Sequence, residues 1–85
     1  MVSYLIMSRT QSQAYRIANL AARSGYYAKI IRPPAEISSG DCSYAVKVPE
    51  RQLADVLAML NRNGIERGKV YLYRADGTTE ENYEL

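Results

Sequence analysis

The chain lacks histidine and has a single cysteine, Cys42, among its 85 residues. These absences exclude a Cys-His nucleophile pair, a histidine general base and any metal site built from several Cys or His ligands. An internal disulfide is excluded too. Paired carboxylates, glycine-rich phosphate loops and serine triads are also missing, which argues against a hydrolase or a transferase. We therefore do not expect a turnover enzyme, and we expect no cofactor and no metal.

Long hydrophobic runs and a strong net charge are missing as well. The apolar run from Tyr4 to Met7 is short and no basic region precedes it, so neither a signal peptide nor a membrane span is expected. With one unpaired cysteine, this predicts a reducing cytoplasm and no membrane partner. The net charge of +2 comes from eleven basic and nine acidic residues. That near balance argues against nucleic acid as a partner.

Strand and helix patterns alternate along the chain in the order β-α-β-β-α-β. Strands are predicted at 2–7, 26–32, 43–48 and 69–74, and helices at 10–24 and from Pro49 to Gly64. Both Ser8–Gln11 and Thr10–Gln13 fit the capping-box spacing, and Gly25 supplies a left-handed stop for the first helix. The nearly continuous apolar first strand suits the centre of a sheet, whereas the prolines after the second strand favour an edge.

This order predicts an α+β fold, a ferredoxin-like βαββαβ sandwich. A right-handed crossover gives a four-stranded, mainly antiparallel sheet of order 4-1-3-2 with two helices on one face. The length allows one such domain, at 1–75, with a core modest enough that self-association would help it. Asp76, Glu80, Glu81 and Glu84 make 76–85 an acidic segment, which we predict to be a frayed C-terminal tail.

The predicted topology brings the loop that carries Cys42 to the start of the first helix. The first strand ends where that helix begins, and the second strand ends and the third begins at the same end of the sheet. Unpaired amides and the helix dipole favour an anion there. Such surroundings lower the pKa of a thiol below about 8.5, although Asp41 acts in the opposite direction. The predicted binding residues around the thiol are Ser8, Arg9, Thr10, Arg32, Ser38, Ser39, Gly40 and Ser43. From the residues alone, Cys42 fits a small buried apolar residue at a strand end equally well.

The stretch Pro34-Ala35-Glu36-Ile37-Ser38-Ser39-Gly40-Asp41-Cys42 resembles the mark of the small selenium/sulfur carrier-like family, Pro-x-x-Ile-Ser-Ser-x-Cys-Gly. The likeness extends over nearly the whole chain and includes the Ser/Thr-rich helix start at Ser8 to Ala14 and the glycine before the second strand. Two positions differ from that mark. Gly40 and Asp41 both stand between Ser39 and Cys42, and Ser43 follows the cysteine in place of glycine.

The resemblance implies a role for the cysteine. In that family the cysteine is the site where a sulfur or selenium atom is carried as a persulfide or perselenide, a role that would fall here on Cys42. It also implies a sulfur or selenium donor protein and an acceptor protein as partners. No cofactor is implied.

A second hypothesis is a non-catalytic binding or homodimerisation module that uses the open face of the sheet. Tyr4, Tyr44, Tyr71 and Tyr73 lie on predicted strands, and their parity allows several of them to share the face that no helix covers. Tyrosine combines an apolar ring with a hydroxyl that stays hydrated, which suits a protein interface. Alternatively, some of these rings lie under the helices as ordinary core.

Binding of single-stranded RNA is a third hypothesis and the weakest. An RNA-recognition motif shares the predicted topology and stacks bases on aromatic residues of its two central strands, where Tyr4 and Tyr44 lie. However, Asp41 and Cys42 stand where its basic and glycine residues belong.

Overall fold

The computed structural model describes residues 2–33 and 44–81 of the chain. Its strands are β1 (Ser3–Ser8), β2 (Lys29–Ile31), β3 (Tyr44–Pro49), β4 (Val70–Tyr73) and β5 (Thr79–Glu81). Its α-helices are α1 (Gln11–Arg23) and α2 (Leu53–Arg62), and a 3-10 helix at Glu50–Gln52 leads into α2. The predicted α+β class is confirmed. Neither described helix has the length and the apolar character needed to cross a bilayer.

The sheet has five strands in the order β2-β3-β1-β4-β5. All neighbouring strands are antiparallel. The predicted count of four was therefore wrong, and the order differs from 4-1-3-2 because β5 pairs with β4 and makes a new edge. As predicted, β1 is central and β2 lies at an edge. The finer assignment to a ferredoxin-like fold stays a prediction.

The segment 76–81, which was predicted to fray, instead forms a turn and β5. The hydroxyl and the backbone N–H of Thr78 both donate to Oδ1 of Asp76, at 2.7 and 2.9 Å. These hydrogen bonds hold the pKa of the Asp76 carboxyl below its ordinary value. Glu80 forms an ion pair with Arg74. A second ion pair joins the Lys69 Nζ and the Glu81 Oε1, which are 3.1 Å apart. The acidic side chains are thus matched by basic ones across a strand pair. Residues 82–85 lie outside the described residues.

Local signals determine both ends of α1. At its start the Thr10 side chain accepts a hydrogen bond from the Gln13 amide (3.1 Å), while the Gln13 side chain accepts one from the Arg9 amide (3.0 Å). Of the two candidate pairs, the structure therefore uses Thr10 and Gln13, with the return hydrogen bond going to the amide of Arg9 and not to that of Thr10 as in a regular capping box. At the other end Gly25 has φ +86°, and the amides of Gly25 and Tyr26 donate to the carbonyls of Ala22 and Ala21. This is a Schellman motif, which favours glycine because other residues are strained at positive φ.

Because Thr10 caps α1, its replacement by alanine should weaken the fold. We expect Thr10→Ala to lower the free energy of unfolding by about 1 kcal/mol, measured by urea denaturation. Ser12→Ala is the matched control, since Ser12 is exposed in the same turn and makes no cap. Equal stability of the Thr10→Ala variant and the wild type would contradict the capping role.

The buried residues form two clusters, one on each face of the sheet. The larger lies between the sheet and both helices and consists of Ile6, Ala14, Ile17, Ala21, Val46, Val48, Leu53, Val56, Met59, Leu60 and Val70. The smaller consists of Leu5, Met7 and Ala45, with Ile31, Tyr71 and Tyr73 packed against it. Only the first contains helical residues, so both helices lie on one face, as predicted. β1 contributes to both clusters, which explains why its sequence is apolar at nearly every position.

Candidate functional site

Three described segments meet at the carboxyl end of β1. The β1–β3 register places Ser8 opposite Tyr44, and the β2–β3 register places Ile31 opposite Ala45. The end of β1, the end of β2 and the start of β3 therefore lie together, as the predicted topology requires. Arg32 follows β2 directly and is exposed. Five of the predicted site residues lie outside the described residues: Ser38, Ser39, Gly40, Cys42 and Ser43.

Ser8 is the buried polar residue of this end. Its side chain is fully inaccessible to solvent, and its Oγ has no hydrogen-bond partner in the part of the chain that the structure describes. Ser8 alternates along β1 with Tyr4 and Ile6, which pack in or against the cluster under the helices, so its hydroxyl points to the helix side of the sheet. An unpartnered buried hydroxyl costs about 1–3 kcal/mol. Ser8 thus places a buried hydroxyl, without a partner among the described residues, beside the start of α1.

The first turn of α1 makes this end electropositive. The Thr10 cap satisfies the Gln13 amide, and helix geometry leaves the amides of Gln11 and Ser12 without an intrahelical acceptor. No acidic side chain lies in this turn, so nothing within it neutralises the positive end of the helix dipole. Arg9 is exposed beside the cap. Ser8, Arg9 and Thr10 thus lie together at the start of α1, and their role around the thiol stays a prediction.

The connection between α2 and β4 also reaches this end, although it was not among the segments predicted there. The Gly68 amide donates to the Met7 carbonyl (2.7 Å) and the Met7 amide donates to the Lys69 carbonyl (2.9 Å). A Cβ at Gly68 would lie 3.0 Å from the Met7 oxygen and 3.1 Å from the Met7 Cβ, so a larger residue here would require Met7 to shift by a few tenths of an ångström. The predicted pairing of the first and fourth strands was the signal that could have placed this connection beside the end of β1.

A groove runs between the start of α1 and the segment 64–68. We call it the α1 groove. Its lining residues are Arg9, Thr10, Ser12, Gln13, Arg16, Gly64, Ile65, Glu66, Arg67 and Gly68. Three arginines against one glutamate leave the lining with a formal charge of +2. Arg32, the other predicted cation of the site, does not line it.

The four tyrosines of the predicted interface do not share a face. Tyr71 and Tyr73 pack against the cluster on the open face, where the Lys47 ammonium lies 5.5 Å from the centre of the Tyr73 ring. Tyr4 and Tyr44 instead pack against the cluster under the helices. Tyr4 and Tyr44 therefore follow the alternative of ordinary core, because β1 and β3 turn their even-numbered positions toward the helices. An interface on the open face stays a prediction. The open face retains two half-buried rings.

Within 2–33 and 44–81 no group of three or more acidic, cysteine or histidine side chains could hold a metal ion. The side chains at this end of the described chain include the guanidinium groups of Arg9, Arg16 and Arg67 beside the carboxylate of Glu66. Guanidinium groups stabilise anions.

The comparison with known families gave a match to the family described as "Putative Se/S carrier protein-like", over residues 3–72. The matched range runs from β1 into β4 and includes both Cys42 and the start of α1. Neither the curated proteins nor the solved structures gave a match. Because the match covers far more than half of the 85 residues, the chain belongs to the putative Se/S carrier protein-like family.

Proposed function

We propose that this protein carries a sulfur or selenium atom on Cys42, as a persulfide or perselenide. The family match supports this most directly, because the matched range contains the single cysteine of the chain. With one cysteine in the sequence, no other side chain offers a thiol that could form such a bond. The chain would act as a carrier that receives the atom from one protein and delivers it to another.

Chain connectivity supports a place for Cys42 near the start of α1. Cys42 is two residues before Tyr44 in the sequence, and two residues span at most about 7 Å. Tyr44 is the direct cross-strand partner of Ser8, which is buried with an unpartnered hydroxyl. Donors of this kind, with the first-turn amides of α1, favour a thiolate or persulfide anion over its protonated form. Arg9 and Arg32 add positive charge at the same end.

The proposed transfer step is a thiol exchange without net oxidation. The Cys42 thiolate attacks the terminal sulfur of a donor persulfide, so that a new S–S bond forms at Cys42. The original S–S bond breaks, and the donor leaves as a thiolate. Delivery to an acceptor thiolate repeats the same exchange in the opposite sense. With selenium, the bonds formed and broken are S–Se bonds.

The proposal predicts that Cys42 ionises more readily in the folded chain than in the unfolded one. The rate of alkylation by iodoacetamide, followed by mass spectrometry as pH rises, should reach its half-maximum at least one pH unit below about 8.5. The same chain in concentrated urea is the matched control, because it keeps the thiol and loses the surrounding donors. The rate at pH 7 should exceed that of the unfolded chain only roughly two- to threefold, since nucleophilicity falls with the pKa.

Equal midpoints for the folded and unfolded chains would contradict an activated thiol. A higher midpoint in the folded chain would indicate a Cys42 packed among apolar side chains, which is the simpler structural role for a lone cysteine.

A further inference from the structure

We infer that the outer side of α2 is a contact surface between two copies of this chain. An open groove, which we call the α2 groove, runs along it. Its lining residues are Ala54, Leu57, Ala58, Leu60, Asn61, Ile65 and Arg67, five of them apolar. The inference goes beyond the proposed function, because it uses only described residues and needs no chemistry at Cys42. Two observations carry it: the apolar outer side of α2, and the order of the charges beside it.

The first observation is that α2 is apolar on nearly all of its sides. Its inner side is buried in the cluster between the sheet and the helices. Its outer side presents the exposed Ala54 and Ala58 and the half-buried Leu57, and Ile65 continues this surface past the end of the helix. The exposed residues of α1 are instead mostly Gln, Ser, Arg and Asn. A helix that is apolar all round is normally buried, which points to a second layer of protein over α2.

The second observation is the order of the charges along α2. Glu50 and Asp55 lie toward the amino-terminal end of this surface, and Arg62 and Arg67 lie toward its carboxyl-terminal end, while Arg51 departs from this order. All five side chains are exposed, and the ion pairs among the described residues are formed by others. A second copy in the antiparallel direction places each acidic end beside a basic end. The charges therefore favour this chain itself as the partner.

An antiparallel pair of α2 helices brings these charges together at defined positions. Asp55 and Arg62 are seven residues apart in the sequence, about two helical turns, so they lie on the same side of the helix. With the two-fold axis near Ala58, Asp55 of each copy lies beside Arg62 of the other. A contact made by one helix is small among specific interfaces, so we expect a weak dimer that salt weakens further.

The open face of the sheet offers a second copy less than α2 does. The apolar cluster on that face is already buried, since Leu5, Met7 and Ala45 are at most 2% exposed. A partner there would remove little further surface of these residues from water, whereas Ala54 and Ala58 on α2 are still exposed. Burial of apolar surface drives association, and this comparison assigns the contact to α2.

The test is sedimentation of the full chain from about 10 µM to about 1 mM, the range of weak specific contacts. The weight-average mass should rise with concentration from 9.6 kDa toward twice that value. Ala58→Arg should keep the chain monomeric throughout, because it places two like charges beside the axis, and arginine is well tolerated in a helix. Ala22→Arg is the matched control, since Ala22 is exposed on α1, and this variant should associate like the wild type.

Charge reversal tests the antiparallel arrangement. Asp55→Arg and Arg62→Glu should each weaken self-association at least tenfold, because like charges then face each other across the contact. An equimolar mixture of the two variants should form a mixed dimer with nearly the wild-type affinity, since both reversed pairs then join opposite charges. The original order of charges also suits the helix dipole, and recovery on mixing separates the two roles because it cannot come from the dipole.

The inference is overturned if the wild type stays monomeric at the highest concentration, or if the folded charge variants do not associate when mixed. A dimer that Ala58→Arg leaves intact, or that Ala22→Arg weakens equally, is held by another surface such as the open face, and this result also contradicts the inference. Circular dichroism shows whether each variant is folded. If Ala58→Arg is not, the mixing experiment decides alone.

Discussion

Cys42→Ser should abolish the loading of sulfur onto this protein. When the wild-type chain is incubated with a donor persulfide, mass spectrometry should show the gain of one sulfur atom, which dithiothreitol removes. The serine variant should gain none, because a hydroxyl cannot replace the thiolate as nucleophile at neutral pH. The change from cysteine to serine is nearly isosteric, so the fold should persist.

Loading alone shows only that the thiol is accessible, so the onward step decides whether the protein is a carrier. With a labelled sulfur atom on Cys42, addition of an acceptor thiol should move the label to the acceptor and regenerate the unmodified chain. Ser24→Ala is a suitable control, because Ser24 follows α1 at the end remote from the site. This variant keeps Cys42 and should load and deliver sulfur like the wild type. Loading no faster than that of glutathione, or a label that never leaves Cys42, would contradict a carrier function.

Ile17→Ala should cause the largest loss of stability among the substitutions considered. Ile17 is fully buried in the cluster between the sheet and both helices. Its truncation should lower the free energy of unfolding by about 2–5 kcal/mol, from lost hydrophobic transfer and the cavity left behind. A chain of this size has roughly 4–13 kcal/mol in total, so the variant should be partly unfolded at 37 °C if the wild type is near the lower end.

Thermal denaturation followed by circular dichroism measures this effect, and the midpoint should fall by roughly 10–30 °C. Asn19→Ala is the control, because Asn19 is exposed on the same helix and alanine has the higher helix propensity. The denaturation midpoint of the Asn19→Ala variant should equal that of the wild type or lie slightly above it. A loss below about 1 kcal/mol for Ile17→Ala would mean that α1 is not packed on the sheet as described. Since α1 presents Thr10 and the first-turn amides, such a result would also remove the support for the candidate site.

The sequence by itself determined the local features of this protein. Thr10 and Gly25 set the ends of α1 through contacts within a few residues, which are encoded in the neighbouring sequence. The prolines after β2 limited it to an edge, and the alternation of Tyr44, Val46 and Val48 fixed which residues of β3 share a face. The single cysteine and the absence of histidine restricted the available chemistry before any fold was known.

Only the tertiary structure decided which of two equivalent faces the helices cover. Alternation defines two faces of a strand but does not say which is inside, and for this reason Tyr4 and Tyr44 pack under the helices while Tyr71 and Tyr73 do not. β5 depends on pairing with β4, a contact that acidic composition gave no reason to expect. The hydrogen bonding of Gly68 to Met7 likewise follows from strand pairing between distant segments. Long-range pairing is set by the burial of the whole core and not by neighbouring residues, so these features required the folded chain.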